Sequence, residues 1–231
     1  MRLSIIVPVL NEADGIAGFL QALAPLRSQG VELIVVDGGS SDGSLALALP
    51  WADAVIATAK GRAVQMNAGA AVASGEALLF LHADTWLPAN AIEAIRSALE
   101  QGACWGRFDV CIEGRSAWLR VLSFFMNWRS RLTGIATGDQ AIFVTRQAFH
   151  SIGAFPVIDL MEDIALSTAL KKLARPCCLS LRVRTSGRRW ERNGLVRTMV
   201  LMWRLRLAYF LGADPNRLAH RYDPAAKSKQ A

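Results

Sequence analysis

The sequence of 231 residues lacks the motifs that identify several common protein classes. It contains no GxxxxGK[ST] loop, and no GxGxxG follows its first apolar run, which disfavours P-loop and dinucleotide-binding folds. No low-complexity tract, internal repeat or long Pro/Gly/Ser stretch interrupts the chain, so we predict one domain. Its cysteines form neither a CxxC pair nor a zinc spacing and are interpreted as small buried apolar residues: Cys104, Cys111, Cys177 and Cys178.

Long uninterrupted apolar runs are also missing. The first apolar stretch, from Arg2 to Leu10, contains Pro8 and is closed by Asn11-Glu12, so it is too short for a signal peptide and predicts a cytoplasmic protein. A later stretch from Leu195 to Leu211 contains three arginines and is not a simple transmembrane span. Nor is it a clean amphipathic helix, because Arg206 points almost opposite to Arg197 and Arg204.

The positive charge of the chain is concentrated near its C-terminus. The whole chain has a formal net charge of +7, yet the part from Arg182 onward carries 12 Lys/Arg against three Asp/Glu. Such a region can contact nucleic acid, anionic lipid or a phosphate-bearing substrate. Nucleic acid is disfavoured because no aromatic residues alternate with the basic ones in a recognisable motif. For Lys227 and Lys229, in a polar tail, a merely solvated surface is the alternative.

Apolar strand patterns alternate with helical patterns in the first half of the chain. The strands are predicted at 3–9, 32–36, 54–58 and 77–82, and the helices at 13–28, after Ser41, at 62–74 and after Pro88. This βαβ order predicts an α/β fold with a mostly parallel sheet, right-handed crossovers and flanking helices, followed by a C-terminal helical segment.

Residues 115–131 predict an amphipathic helix whose apolar face is unusually wide. Its polar residues lie on one narrow stripe: Ser116, Arg120, Ser123, Asn127, Ser130 and Arg131. The opposite face has Trp118, Leu122, Phe124, Phe125 and Trp128. We expect this face to pack in the core, while an apolar acceptor groove or a membrane contact remains open.

Carboxylates stand where predicted apolar strands end. Glu12, Asp37 and Asp84 end three such runs, and Asp163 follows in LMEDIAL, so we expect all four at one rim of the sheet. At Asp37 the motif DGGSSDG allows a tight turn, and the carboxylate can accept a uracil N–H or ribose hydroxyls; a plain turn is the alternative.

Two further motifs carry titratable groups. In HADT, Asp84 is suited to hold Mg²⁺ or Mn²⁺ between two phosphates, while His82 is either a ligand, a phosphate contact or a hydrogen-bonded core residue. In MEDIAL, Glu162 and Asp163 open a predicted helix, whose dipole favours an ionised carboxylate that can act as a base. A helix cap is the alternative for this pair.

These motifs together resemble a known enzyme family. SIIVPVLNE, IVVDGGSSDGS, HAD and the ED pair are similar to the inverting glycosyltransferases of family 2, which have a GT-A fold and use nucleotide-diphosphate sugars. Within the family, five segments resemble the radical-SAM/selenodomain-associated transferases: KGRAVQMNAGA, FLHADT, TGDQAIFV, TSGRRWERNG and LAYFLGADPNRLAHRYDP. The resemblance covers nearly the whole chain. It divides residues 1–231 into a nucleotide-sugar half (1–85), an acceptor half (86–190) and a basic helical segment (191–231).

The resemblance also implies roles for individual residues. The donor would be held by Pro8, Val9, Asn11, Glu12, Asp37, Gly38, Arg62, Asn67, His82, Ala83 and Asp84, with Asp84 as the metal ligand. Asp163, beside Glu162, would be the catalytic base. Arg189-Trp190 resembles the end of the QxxRW motif, which approaches the donor pyrophosphate, although Ser186 stands in the Gln position. Processive members carry membrane spans, so polysaccharide synthesis is not expected.

The activity that the resemblance implies is metal-dependent, inverting transfer from a nucleotide-diphosphate sugar, with a UDP-sugar as the expected donor and a guanine-based donor left open. The acceptor, a lipid or a small metabolite, is open. Peripheral contact with an anionic membrane at its inner face is a further expectation from the basic segment and the apolar face. Two alternatives remain: a sugar-nucleotide nucleotidyltransferase, which would place a basic Gly-rich loop after the first strand, and a non-catalytic binding module.

Overall fold

Eight strands form one sheet at the centre of this computed structural model, which describes residues 1–222. The strands are β1 (Leu3–Val9), β2 (Val31–Asp37), β3 (Ala54–Ala57), β4 (Ala77–Phe80), β5 (Thr85–Trp86), β6 (Trp105–Glu113), β7 (Ile142–Thr145) and β8 (Cys177–Ser186). Their order across the sheet is β3-β2-β1-β4-β7-β6-β8-β5.

Helices cover both faces of the sheet and form the C-terminal segment. They are α1 (Ile16–Leu23), α2 (Ser44–Ala48), α3 (Arg62–Val72), α4 (Ala91–Glu100), α5 (Trp118–Thr133), α6 (Arg146–Ser151), α7 (Glu162–Leu170), α8 (Arg188–Asn193), α9 (Leu195–Phe210) and α10 (Pro215–Tyr222). Two 3₁₀ segments lie at Ala24–Gln29 and Gly138–Gln140. The predicted C-terminal helical segment is confirmed, and the division into halves stays a prediction.

The first half of the sheet is parallel, as predicted. β1 pairs with β2 and β4, and β2 pairs with β3, all in parallel register. β7 is antiparallel to both β4 and β6, and β8 returns parallel to β6. Alternate residues of β1 enter two different cores, since Ile5 and Val7 pack on one face of the sheet and Ile6 on the other. The predicted α/β fold with a mostly parallel sheet is confirmed.

The helix predicted at 13–28 is wrong as one continuous element. α1 ends at Leu23, and the chain continues as a 3₁₀ segment with Pro25 in its first turn. Pro25 has no backbone N–H to donate to an earlier carbonyl and its ring would clash there, so an α-helix cannot pass through it. The other predicted elements of the first half are present, with ends that differ by at most three residues.

The expectation that the apolar face of α5 packs in the core is wrong. Leu122 does pack against the core, but Trp118, Phe124, Phe125 and Trp128 are exposed. Ser123, Asn127 and Ser130 of the polar stripe point inward instead, because β6 pairs with β7 only as far as Arg107 and its edge is unpaired beyond that point.

Polar side chains of α5 satisfy this open edge of β6. Asn127 accepts from the Val110 N–H at 2.8 Å and donates to the Val110 carbonyl at 2.9 Å. Ser123 accepts from the Ile112 N–H at 2.9 Å. Buried backbone groups need such partners, so α5 takes the place of a missing strand and leaves its apolar face outside.

The C-terminal segment packs on the start of α7. Leu205 of α9 and Leu218 of α10 form a separate apolar cluster with Ile135, Leu160, Met161 and Ile164. Within residues 1–222, no helix combines the length and apolar character needed to cross a membrane. The predicted tail residues Lys227 and Lys229 lie outside the described part of the chain.

Candidate active site

The turn after β1 is tied to the DGGSSDGS loop after β2. Three successive backbone N–H groups donate to side chains of that loop: Asn11 to Ser40 Oγ at 2.9 Å, Glu12 to Ser44 Oγ at 2.8 Å and Ala13 to Asp42 Oδ2 at 3.0 Å. The amide oxygen of Asn11 accepts from the Ser41 N–H at 2.9 Å. Gly39 and Gly43 have φ values of 89° and 87°, which glycine adopts without strain. The predicted tight turn is confirmed, and both loops form one wall of the rim.

Asp37 is buried at the end of β2, and its own loop uses most of its hydrogen-bonding capacity. Oδ2 accepts from the N–H groups of Gly39 and Ser40, both at 2.9 Å, and Oδ1 accepts from the Ser40 hydroxyl. An ionised carboxylate has about four acceptor positions. One position on Oδ1 therefore remains for a nucleobase N–H or a ribose hydroxyl.

The other residues expected around the nucleobase have protein partners. Gln65 donates to the carbonyls of Val9 and Val36 at 2.8 and 2.7 Å, and a Cβ on Gly38 would lie 2.9 Å from the Gln65 side chain. Gly38 thus accommodates Gln65 rather than leaving open space. Asn67 exchanges two hydrogen bonds with the backbone of Phe155, so its amide braces the chain before α7. Nucleobase contacts by Pro8, Val9, Gly38 and Asn67 stay predictions.

Arg62 is the central cation of the rim. Its guanidinium Nη1 lies 3.9 Å from Glu162 Oε1, and its charge also acts on the carboxylates of Asp84 and Asp163. Oε2 of Glu12 lies 3.7 Å from Nη2 of Arg188, and the negative charge of Asp84 acts on the Glu12 carboxylate. Burial, together with nearby carboxylates and despite Arg188, raises the pKa of Glu12. The structure therefore brings Glu12, Asp84 and Asp163 into one electrostatic neighbourhood, as the ends of the predicted strands indicated.

Glu162 and Asp163 begin α7 but differ in their surroundings. Burial, then the charge of Asp163, raises the pKa of Glu162 to about 7, although Arg62 opposes this shift. Asp163 Oδ2 accepts from the Gly138 N–H at 2.9 Å, and its Oδ1 accepts from the Ile164 N–H at 2.7 Å. The N-cap position belongs to Met161, which has a φ of 70° and no capping side-chain bond. Neither carboxylate is the cap residue of this helix.

His82 is packed against the turn that holds Asp163. Burial, then the positive charge of Arg62, lowers the pKa of His82 from 6.5 to about 3, so the imidazole is neutral near pH 7. A Cβ on Gly138 would lie 2.5 Å from both Cε1 and Nε2 of the His82 ring. Only glycine allows this contact, which links the HADT motif to the amide that binds Asp163.

A second group of charges near Asp163 was missed by the sequence reasoning. The charges of Arg129 and Arg206 act on the half-buried Asp139, and those of Asp139 and Asp163 act on Arg129. Burial, then Arg206, lowers the pKa of Arg129 to about 10. Within residues 1–222, Nε and Nη2 of Arg129 are buried without a hydrogen-bond partner. The segment TGDQ belongs to one of the motifs described above, but no spacing along the sequence connects it to the arginines on α5 and α9.

The Arg189-Trp190 pair lies beside the rim. The Arg189 guanidinium stacks 3.5 Å from the centre of the Tyr222 ring, and Trp190 packs against the main core. Its predecessor Arg188 reaches Glu12 instead. Contact of Arg189 and Trp190 with the donor stays a prediction, and Arg188 is a cation that the motif did not single out.

Solved structures with the same fold include a mannosyltransferase. The mannosyltransferase PcManGT from Pyrobaculum calidifontis, solved with GDP-Man and Mn²⁺, is 21% identical with a TM-score of 0.65 over 95% of this chain and 68% of that one. TarS 1–349 from S. aureus, solved with UDP, is 18% identical with a TM-score of 0.66, and the match covers 80% of this chain and 60% of that one. Glucosyl-3-phosphoglycerate synthase from Mycobacterium tuberculosis was solved with Mn²⁺, UDP and glucosyl-3-phosphoglycerate. It is 18% identical with a TM-score of 0.60, and the match covers 80% of this chain and 70% of that one. The chain thus spans less than two thirds of the TarS structure.

The sequence itself places the chain in a family. No curated protein matches it significantly. Residues 4–153, more than half of the chain, match the model of glycosyl transferase family 2, a stretch that includes β1 except its first residue, β2 to β7, Asp37 and Asp84. The narrower subfamily resemblance stays a prediction. With the confirmed α/β fold, which matches the GT-A glycosyltransferases, this match leads to one conclusion: the chain belongs to glycosyl transferase family 2.

Proposed function

We propose that this protein is an inverting glycosyltransferase that moves a sugar from a nucleotide-diphosphate sugar to an acceptor hydroxyl. The observation that carries the proposal is the carboxylate of Asp163, held by two backbone N–H groups at the rim that Asp37 and Asp84 also border. The family match and the fold support the same reaction class. A UDP-sugar is the expected donor, because the acceptor position left on Asp37 suits the N–H of uracil.

The donor diphosphate would lie between Arg62 and Asp84. Within the described residues, no cluster of three or more His, Cys, Asp or Glu side chains is arranged to hold a metal ion. One carboxylate is nevertheless sufficient where substrate phosphates complete the coordination, which is the usual mode of Mg²⁺ binding at phosphate groups. Asp84 fits that role, and a Mg²⁺ or Mn²⁺ ion held there would neutralise charge on the leaving diphosphate.

Asp163 would act as the general base. The acceptor oxygen attacks the anomeric carbon, its proton passes to Asp163, and the bond between that carbon and the diphosphate oxygen breaks. A single displacement of this kind inverts the anomeric configuration. Arg62 would stabilise the negative charge that grows on the leaving nucleotide diphosphate. Glu162, which is buried against Arg62, would position that guanidinium rather than accept the proton.

Donor screening and one matched pair of variants test the proposal. Thermal shift with nucleotide diphosphates and their sugars, with and without Mn²⁺, should reveal the donor, since ligand binding raises the apparent stability. Hydrolysis of that donor by water then provides an assay that needs no acceptor, and NMR of the first sugar released should show the inverted anomer.

Asp163→Asn should reduce hydrolysis by about 10²- to 10⁴-fold while the donor dissociation constant changes little. Asp159→Asn is the control, since Asp159 is an exposed carboxylate on the same segment. Near-normal hydrolysis in folded Asp163→Asn would remove Asp163 as the base. Donor binding without any turnover in wild type would support the binding-module alternative, and formation of a nucleotide sugar from a nucleoside triphosphate would support the nucleotidyltransferase alternative.

A further inference from the structure

Helix α5 presents a continuous apolar face to solvent. Its polar side chains are used by the open edge of β6, as described above, so the helix cannot turn this face inward without leaving the β6 backbone groups unpaired. The exposed side chains are Trp118, Val121, Phe124, Phe125, Trp128 and Leu132, and Phe124 alone is 63% exposed. Exposed apolar surface of this extent marks an interaction site.

Helix α9 adds a second apolar face. Its exposed large side chains are Val196, Val200, Trp203, Leu207, Phe210 and the following Leu211, and Trp203 is 63% exposed. Part of this surface forms a groove of about 970 Å³ between α9 and α10. Arg197, Arg204 and Arg221 also line that groove, so its apolar surface lies beside positive charge.

The segments that contain α5 and α9 come near each other at two points. Arg115, which precedes α5, donates its backbone N–H at 2.5 Å to Oε1 of Glu191 in α8, the helix before α9. Further along, the charges of Arg129 on α5 and Arg206 on α9 act on one another. The large apolar side chains that α5 and α9 expose are together called the α5/α9 face.

The α5 and α9 segments carry an excess of arginine. The segments 114–138 and 192–213 contain four arginines each and no Asp or Glu. Most of these arginines are exposed, including Arg120 on α5 and Arg197 and Arg204 on α9, whereas Arg131 is paired with Asp109. A surface that is both apolar and basic complements the boundary between anionic lipid headgroups and acyl chains.

We infer that the α5/α9 face docks on an anionic membrane surface. Each helix has 16 residues, or about 24 Å at 1.5 Å per residue, which is shorter than a bilayer core, so the helices would lie in the interface rather than cross it. A second copy of the chain fits this face less well, because a two-fold interface would oppose arginines to arginines.

Vesicle sedimentation of the full chain tests this inference. At low salt, the protein should sediment with vesicles of phosphatidylcholine and phosphatidylserine in equal parts, much less with phosphatidylcholine alone, and salt should weaken the binding. Phe124→Ser/Phe125→Ser and, separately, Trp203→Ser should lower vesicle partitioning about tenfold or more. Leu49→Ser is the matched control, because Leu49 is 60% exposed beside α2, in the β2–β3 connection.

Charge variants and a mass measurement complete the test. Arg120→Glu/Arg197→Glu should remove the preference for anionic vesicles, and unchanged melting temperatures should show that all variants fold. Equal sedimentation with both vesicle types, or sedimentation with neither, would overturn the inference. So would a dimer in analytical ultracentrifugation that Phe124→Ser/Phe125→Ser dissociates, since the face would then bind a second copy.

Discussion

Gly138→Ala tests the packing that links His82 to Asp163. The added Cβ would lie 2.5 Å from two atoms of the His82 ring, more than 1 Å inside normal contact between carbon atoms. The φ of Gly138 is not positive, so the backbone itself tolerates alanine, and the cost comes from the collision alone. Either the ring moves, or the turn moves and the Gly138 N–H leaves Asp163 Oδ2.

Both routes relieve the same overlap, so their costs are alternatives and do not add. Overpacking costs about 1 to 3 kcal/mol, and losing a hydrogen bond to a charged group costs about 1.5 to 3 kcal/mol. We therefore expect Gly138→Ala to lower the free energy of unfolding by about 2 kcal/mol, or the melting temperature by about 4 to 8 °C. Urea unfolding and calorimetry measure these values.

A double-mutant cycle separates the collision from other effects. His82→Ala removes the ring, so Gly138→Ala should cost at least about 1 kcal/mol less in that background than in wild type. Gly18→Ala is the control, because nothing lies within 4 Å of a Cβ at that helical position and the change should be neutral or slightly stabilising. Zero coupling between the substitutions at Gly138 and His82 would refute the packing argument.

Two further predictions concern carboxylates of the rim. Burial raises the pKa of Glu162, so between about pH 4.5 and 7 the folded protein retains a proton that the unfolded chain releases, and stability falls as pH rises through this window. Glu162→Gln removes this titration. Between about pH 5 and pH 8, the free energy of unfolding of the variant should therefore rise by about 1 to 3 kcal/mol relative to that of wild type, as urea unfolding can measure. A difference between the two proteins that does not change with pH would contradict the raised pKa of Glu162. Asp84→Asn should abolish the gain in nucleotide-diphosphate affinity that Mn²⁺ provides while nucleoside binding stays intact, as calorimetry can measure. If Mn²⁺ strengthens binding to the variant as much as to wild type, Asp84 is not the metal ligand.

The sequence alone determined the parallel half of the fold and the position of the rim. Strands β1, β2 and β4 are apolar on both faces and end near carboxylates, and the carboxyl ends of parallel strands must lie at one edge of a sheet. Local apolar patterns of period two or 3.6 were sufficient to predict these strands and helices, because each element packs directly against the core. The start of α7 at Glu162 was predictable from the acidic pair Glu162-Asp163, because the dipole of a helix favours negative charge in its first turn.

Tertiary structure alone decided the partners of individual polar groups. Asn67 binds the backbone of Phe155, 88 positions away, and Gly138 contacts His82 across the rim, neither of which follows from spacing along the chain. The orientation of α5 shows the physical reason most directly. Its amphipathic pattern predicted an apolar contact with the core, but the unpaired edge of β6 required hydrogen-bond donors and acceptors. A helical period reveals that a helix has two faces; which face is buried depends on what the neighbouring strand leaves unsatisfied.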